Sequence, residues 1–394
     1  MNLTVTVNPK ILKWAIGRSG YSIEMLRERF RKIDDWISGK KEPTFRQLED
    51  FAKKTMTPFG FLFLDAPPLD YETIPMPDFR TVGDTKISKP SPNLIETIRT
   101  MQGRQQWVSD LLREDGEPEV TVVGIASEDD NPRSLAQGIR KELQLSPEWA
   151  STLSSWEDGI KVFRNAIEAR GILVFSNSVV GLNNSRPLDP EEFRGFVICD
   201  SRAPLIFVNS ADTKSAQLFT LAHELVHVWI GRDGLFNLIG MAPSTDVVER
   251  FCNMVAAEIL VPEHILKNVW PSVRMLSDPF AAVAKRFKVS PIVAARRAQS
   301  LGMITKTQFL TFYEKDRTGW ARLKEERRSK SGGGGDFYAT QDVRLSRRFS
   351  NTIVRAVREG KMLHRDAWNL TDLKGETFNR FSGHVLERMR NDRE

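Results

Sequence analysis

The chain has 394 residues, of which 40% are hydrophobic and 27% are charged, and its formal net charge is +6. This length favours two or three domains, and the composition is that of a globular protein with a core of ordinary size. The presence of only two cysteines excludes a disulfide scaffold and fits a reducing compartment, and no apolar run reaches the roughly 18 residues of a membrane span.

The N-terminal segment, residues 1–65, has apolar residues at helical spacing and is predicted to form several short helices. Residues 1–10 lack the basic start and apolar stretch of a secretory signal, so we expect a cytoplasmic protein. Thr44 is the expected cap of one of these helices. Residues 66–130 are then predicted to form a proline-rich linker followed by a helix, Ser91–Glu114.

The central segment, residues 131–307, mixes helical and strand patterns and is predicted to be an α+β domain with a small antiparallel sheet. Two apolar runs separated by a short turn favour an antiparallel hairpin. The expected elements are a helix at Gly159–Arg170, strands at Ile172–Ser176, Gly195–Asp200 and Leu205–Asn209, and helices at Ser215–Ile230 and Val247–Leu260.

The C-terminal part is predicted to be helical and joined by a flexible linker. Residues 308–335 form a helix and a linker with four consecutive glycines in Ser331–Gly335, and residues 336–394 form a helical domain. Basic residues are spaced along one predicted helix, and a solvated helix face is favoured over an acidic partner or a phosphate backbone. These residues are Arg344, Arg347, Arg348, Arg355 and Arg358.

The most informative stretch is Phe219–Trp229, which contains the pattern HExxH between apolar residues. His223 and His227 are four residues apart, so on a helix both imidazoles project from one face and can bind the same tetrahedral Zn²⁺. Glu224 would lie beside the metal and take a proton from its water. A chance match on a solvated helix is disfavoured, because the apolar flanks predict a buried helix and unpaired polar groups are costly to bury.

A third ligand is required, and Glu249 on the next apolar helix is the preferred candidate. The long metzincin pattern is excluded, since it requires glycine and histidine where Ile230 and Asp233 stand. Two histidines and a glutamate leave one position open for water, as in catalytic sites. Glu249 could instead be a carboxylate that opposes the helix dipole, with Asp246 as the cap in either case. The competing ligands are Glu258, His264 and Cys252.

Several neighbouring residues admit two interpretations. Asn253, one turn after Glu249, either orients that carboxylate or is a packing residue. The strand Leu205–Asn209 either aligns an extended peptide as an edge strand or covers the core. The candidates for oxyanion stabilisation are Arg194, Arg232 and His264.

These motifs resemble the ImmA/IrrE family of bacterial metallopeptidases. The resemblance covers about Gly159 to Gly302. It consists of an apolar strand ending in asparagine, the HExxH helix, and a glutamate followed four residues later by asparagine, with Cys252 where alanine is usual. It implies a zincin-like fold, His223, His227 and Glu249 as zinc ligands, and Glu224 as general base. The family cleaves protein regulators at few sites, often repressors of stress, phage or toxin–antitoxin operons.

The N-terminal segment resembles the helix-turn-helix domain that is often fused to this family, at Trp36–Gly39, Pro43–Thr44, Gln47–Leu48 and Phe51–Ala52. Only nine residues separate Leu26 from Trp36, about four fewer than usual, and the shortfall removes the turn and the start of the recognition helix. This departure argues against DNA binding, and the competing interpretation is a vestigial domain that packs on the peptidase or binds a partner. A zinc endopeptidase is therefore the leading hypothesis, and a DNA-binding regulator or antitoxin with a metal domain as sensor or scaffold is the alternative. The sequence does not indicate the oligomeric state.

Overall fold

A computed structural model describes residues 4–68, 71, 73–74, 90–236, 246–316 and 337–392. The described residues fall into two compact units, one within residues 1–75 and 87–99 and the other within residues 100–394. The predicted glycine linker Ser331–Gly335 lies outside the described residues, as does most of the predicted proline-rich linker. The segment boundaries proposed from the sequence stay a prediction.

The first unit is built from short helices around an aromatic core. Its helices are α1 (Pro9–Ser19), α2 (Ile23–Arg29), α3 (Ile33–Ile37) and α4 (Phe45–Lys54), followed by a 3₁₀ helix (Phe59–Phe63). Phe30, Trp36 and Phe51 pack together at ring-centroid distances of 5.8–6.4 Å. The predicted cap is confirmed, because the Thr44 side chain accepts the backbone N–H of Gln47 in a capping box.

The second unit contains the strands and the remaining helices. Before the sheet lie α5 (Pro92–Glu114), which belongs to this unit from Thr100 onward, α6 (Pro132–Glu142) and α7 (Trp156–Glu168). The strands are β1 (Leu173–Asn177), β2 (Val179–Val180), β3 (Asn183–Pro187), β4 (Gly195–Ile198), β5 (Leu205–Asn209) and β6 (Gly234–Phe236). The helices α8 (Lys214–Ile230), α9 (Val247–Leu260), α10 (Glu263–Val273), α11 (Pro279–Phe287) and α12 (Pro291–Ser300) complete this region.

The main sheet has the strand order β1-β5-β4-β6 and is mixed rather than wholly antiparallel. The predicted hairpin is confirmed, since β4 pairs antiparallel with β5. The expectation of a purely antiparallel sheet is wrong, because β1 pairs parallel with β5. The α+β class is confirmed, with helices flanking the small sheet.

Strand β5 is not an edge strand. It is hydrogen-bonded to β1 on one side and to β4 on the other, so its backbone groups are already paired. All five of its residues are buried. Of the two roles predicted for Leu205–Asn209, peptide alignment at an edge is therefore wrong, and the strand covers the core.

Helix α8 runs through the core of the second unit and is capped at both ends. The Thr213 side chain accepts the backbone N–H of Ala216 at its start. Gly231 ends it in the left-handed conformation with φ of 74°, and a Cβ there would lie 2.9 Å from the Cα of Gly124. The segment around Gly124 approaches the end of α8 closely, and the backbone N–H of Gly124 donates a hydrogen bond to the carbonyl of Val228.

The described C-terminal residues are helical, as expected, in α13 (Phe337–Arg344), α14 (Arg347–Arg358), α15 (His364–Thr371) and α16 (Glu376–Asn391). The basic residues do not share one helix, because the chain breaks before Ser346, which caps α14. Arg358 is exposed and the other four arginines are partly exposed, so the interpretation as a solvated face stays a prediction for them. No helix among the described residues is long and apolar enough to cross a membrane.

Candidate metal centre

The two histidines of the HExxH pattern lie on the buried face of α8. His223 and His227 have no exposed surface, and neither does Glu224 between them. Their spacing brings the two Nε2 atoms to 3.1 Å from one another. The apolar residues on either side of the pattern predicted a buried helix. The structure confirms this, since Leu221, Leu225 and their neighbours belong to the hydrophobic core.

Glu249 from α9 completes the cluster. Its carboxylate oxygens lie 3.2 Å from His223 Nε2 and 3.0 Å from His227 Nε2. Among the described residues, these side chains form the group of potential ligands that could hold a metal ion. Two ligands at about 2.0–2.1 Å from a tetrahedral ion are about 3.3–3.4 Å apart, and each of the three separations, 3.0, 3.1 and 3.2 Å, is within a few tenths of an ångström of that value, although the two histidines face different oxygens of Glu249.

Glu249 reaches this position because of how α9 begins. Asp246 caps the helix by accepting the backbone N–H groups of Val248 and Glu249, which confirms the predicted cap. The side chain of Glu249 is 6% exposed and points to the histidines. Burial by itself would raise the pKa of Glu249, but the charge and hydrogen bonds of the two imidazoles hold it well below its usual range.

Asn253 contacts the first histidine rather than Glu249. Its Oδ1 lies 3.2 Å from His223 Nδ1, so the expectation that Asn253 orients the glutamate is wrong. When His223 donates its Nδ1 proton to this amide, the Nε2 lone pair faces the cluster. Burial lowers the pKa of His223 and favours the neutral imidazole that a metal requires.

The Glu224 carboxylate is buried and has no hydrogen-bond partner among the described residues. Burial raises its pKa well above the usual range, and the nearby negative charge of Glu249 adds to the effect. A cation between the ligand atoms would favour the ionised form of Glu224, since opposite charge stabilises a carboxylate. The orphaned carboxylate and the converging ligand atoms therefore both fit a bound metal ion.

Gly195 of β4 is a site residue that the sequence reasoning missed. A Cβ at this position would lie 2.6 Å from Thr220 Cγ2, 2.8 Å from the Phe207 carbonyl oxygen and 3.1 Å from Glu224 Oε1. The absence of a side chain thus lets α8 approach the sheet and brings Glu224 against the β4 backbone. The available signal was a glycine as the first residue of a predicted strand, because glycine in a strand often marks such a close approach.

The competing ligands are placed elsewhere. Glu258 pairs with Arg297 in a buried contact, and His264 is exposed. Cys252 is buried, which raises the pKa of its thiol well above the usual value and disfavours the thiolate that binds metals. Two oxyanion candidates are paired with carboxylates, Arg194 with Asp212 and Arg232 with Glu128.

The HExxH helix α8 packs on a small sheet and faces a carboxylate from α9, and the comparison with known families supports a metallopeptidase domain here. Residues 167–299 match the family model of the IrrE N-terminal-like domain, Peptidase_M78. Residues 167–299 therefore belong to the ImmA/IrrE family, which confirms the resemblance found in the sequence, and the family implies a metal cofactor.

A similar characterised protein is the radiation response metalloprotease IrrE of Deinococcus radiodurans. It is 35% identical over 96 residues, which are 23% of this chain and 29% of that protein. The match thus spans less than a third of that relative's length. Residues 345–384 match a second family model, described as a domain of unknown function (DUF8813).

Proposed function

We propose that this chain is a zinc-dependent endopeptidase that cleaves a protein regulator or partner at few sites. The observation that supports it best is the buried cluster in which His223 Nε2 and His227 Nε2 lie 3.1 Å apart and each faces a different oxygen of Glu249, at 3.2 and 3.0 Å. Atoms that carry lone pairs repel one another at such distances unless a proton or a cation lies between them. Imidazole nitrogen and carboxylate oxygen are donors that suit zinc.

In this proposal, Glu224 moves the protons. Its carboxylate accepts a proton from water as the new C–O bond forms, and donates it to the amine nitrogen as the C–N bond breaks. Zinc held by His223, His227 and Glu249 would supply the Lewis acidity that polarises the peptide carbonyl and makes water nucleophilic near neutral pH. Asn253 holds the ring of His223 so that Nε2 faces the ligand cluster.

The burial of the site limits what it can cleave. None of the four residues His223, Glu224, His227 and Glu249 is more than 4% exposed. A peptide bond reaches Glu224 only after part of the surrounding chain has moved. We therefore propose that cleavage is restricted to partners whose binding opens the site, which agrees with a regulatory rather than a digestive protease.

The substrate class follows from the family. The similar protein from Deinococcus radiodurans is described as a radiation response metalloprotease. For this chain we propose a protein substrate that acts as a regulator in a stress, phage or toxin–antitoxin response. The alternative, a DNA-binding regulator, gains no support from the described part of the N-terminal unit, where α3 has only five residues.

The test is mass spectrometry of the protein incubated with the product of its neighbouring gene, with and without a chelator. Glu224→Gln should retain zinc and lose cleavage, whereas His223→Ala should lose the metal as well. Metal content and far-UV circular dichroism of both variants separate loss of chemistry from loss of fold. Cleavage by the Gln variant at the wild-type rate would show that Glu224 is not the base.

A further inference from the structure

A cavity of about 450 Å³ lies between the end of α7, one face of α14 and the end of α16. Five of its lining residues come from successive turns of α14, and four of them carry guanidinium or amide groups, namely Arg347, Arg348, Asn351 and Arg355. Side chains three and four positions apart share a helix face, so this spacing directs several donors to one side. The cavity thus has a wall of guanidinium and amide groups.

Two of these guanidinium groups have no direct partner among the described residues. Arg347 and Arg348 make no side-chain hydrogen bond or ion pair there, whereas Arg355 lies 3.3 Å from Asp115. Burial lowers the pKa of Arg348, and the attraction of Glu117 and Glu168 through space does not amount to a direct pair. A partly buried cation without a partner is costly, so an anion in the cavity would offset that cost.

The acidic residues of the cavity offset this wall only in part. Glu168 attracts Arg348 through space, but its Oε1 accepts the Ser346 hydroxyl and its Oε2 lies 3.6 Å from Arg164 Nε. Asp392 is the other carboxylate that lines the cavity. Asn351 accepts a hydrogen bond from Arg388 Nη2 at 2.7 Å through Oδ1, which leaves its amide nitrogen as a donor. Positive charge and donors therefore prevail.

We propose that this cavity binds a small molecule that carries phosphate groups and has about the size of a nucleotide. Guanidinium forks match phosphate oxygens in bidentate pairs, and clustered arginines favour such a ligand over a lone carboxylate. The volume falls in the range of about 300–1,000 Å³ that is typical of small-molecule sites. A concave site of this volume suits a free ligand better than the phosphate backbone of a duplex, and Met389 supplies an apolar wall.

The position of the cavity gives binding a structural consequence. It is lined by α7, which ends where the IrrE-like match begins, and by α14, which lies in the second matched segment, residues 345–384. A ligand there joins the two regions. Because a ligand stabilises the state that binds it, occupancy should raise the unfolding temperature.

The test is isothermal titration and thermal unfolding of the full chain with pyrophosphate, ADP and adenosine. Pyrophosphate and ADP should bind and raise Tm, and adenosine should do neither. Arg348→Gln and Arg347→Gln should each weaken ADP binding by about tenfold or more, which corresponds to a lost charged hydrogen bond. Arg358→Gln is the matched control, since it removes the same charge from an exposed position of the same helix. It should leave affinity unchanged within about twofold.

Three results would overturn the proposal. The first is no binding of either phosphate probe at millimolar concentration, including the case in which only a DNA duplex binds. The second is ADP affinity that Arg348→Gln leaves intact. The third is an equal loss with Arg358→Gln, which would indicate screening of surface charge. If Arg348→Gln fails to fold, Arg347→Gln and Arg348→Lys carry the test, and neither readout requires peptidase activity.

Discussion

Adding a single methyl group at Gly195 should separate α8 from the sheet at the proposed active site. In Gly195→Ala the new Cβ would lie 2.8 Å from the Phe207 carbonyl oxygen, where ordinary contact begins at 3.4 Å, so the backbone would have to retreat by about 0.6 Å. Overpacking of this kind costs about 1–3 kcal/mol. Alanine also lowers the conformational entropy of the unfolded chain, which stabilises the folded state by only about 0.4–1 kcal/mol. The variant should therefore be less stable than the wild type.

The assay is thermal unfolding together with zinc content and peptide cleavage. We expect a Tm several degrees lower, retained zinc, and a larger loss of cleavage than of stability, because the new methyl group also lies 3.1 Å from Glu224 Oε1. Adding Thr220→Ser should restore stability in part, by removing the atom at 2.6 Å. Gly159→Ala is the control, since its Cβ would meet Lys288 at an ordinary 3.4 Å. Wild-type Tm and activity in Gly195→Ala would refute the reasoning.

Three further predictions concern the surroundings of the site. Asn253→Ala should lower zinc affinity about 10- to 100-fold in a competition titration, whereas Met254→Ala, at an exposed neighbour, should not; equal affinities would contradict this. Arg297→Met leaves the buried Glu258 carboxylate without its cation, so the free energy of unfolding measured in urea should fall by about 3–5 kcal/mol. A decrease below about 1 kcal/mol would show that the pair is not buried as described. Burial by itself would raise the pKa of Asp200, but backbone hydrogen bonds lower it, so the stabilisation by this carboxylate is present above the pKa of the unfolded chain and is lost as the pH falls. Asp200→Asn should therefore destabilise the protein by about 1 kcal/mol at pH 7 and by less below about pH 4. A stability difference that does not depend on pH would contradict this.

The helices that carry the candidate site were predictable because their signals are local. The apolar run around His223 and the cap at Asp246 are patterns within one segment, and both helices form with nearly the predicted bounds. The spacing of the histidines follows from helix geometry alone. Strand β6 (Gly234–Phe236) was missed because three residues give no alternation to detect.

The contacts between segments could not be read from the sequence. Periodicity predicts a strand at β1 but does not name its partner, and the parallel pairing with β5 depends on the whole fold. From the sequence, the Asn253 side chain could contact either Glu249, one turn earlier on the same helix, or a residue of another segment. Only the packing of the two helices shows that its Oδ1 contacts His223. The surroundings of the basic C-terminal residues could not be predicted for the same reason. Arg348 lines a cavity that α7, from a distant part of the sequence, helps to form.

Diffraction from crystals of the zinc-loaded protein, recorded on either side of the zinc absorption edge, would locate the metal directly. The account predicts one anomalous peak at about 2.0–2.2 Å from His223 Nε2, His227 Nε2 and a Glu249 oxygen, with the fourth position not taken by a side chain. A peak at any other group of residues, or a protein ligand in the fourth position, would contradict a hydrolytic zinc centre at this helix pair.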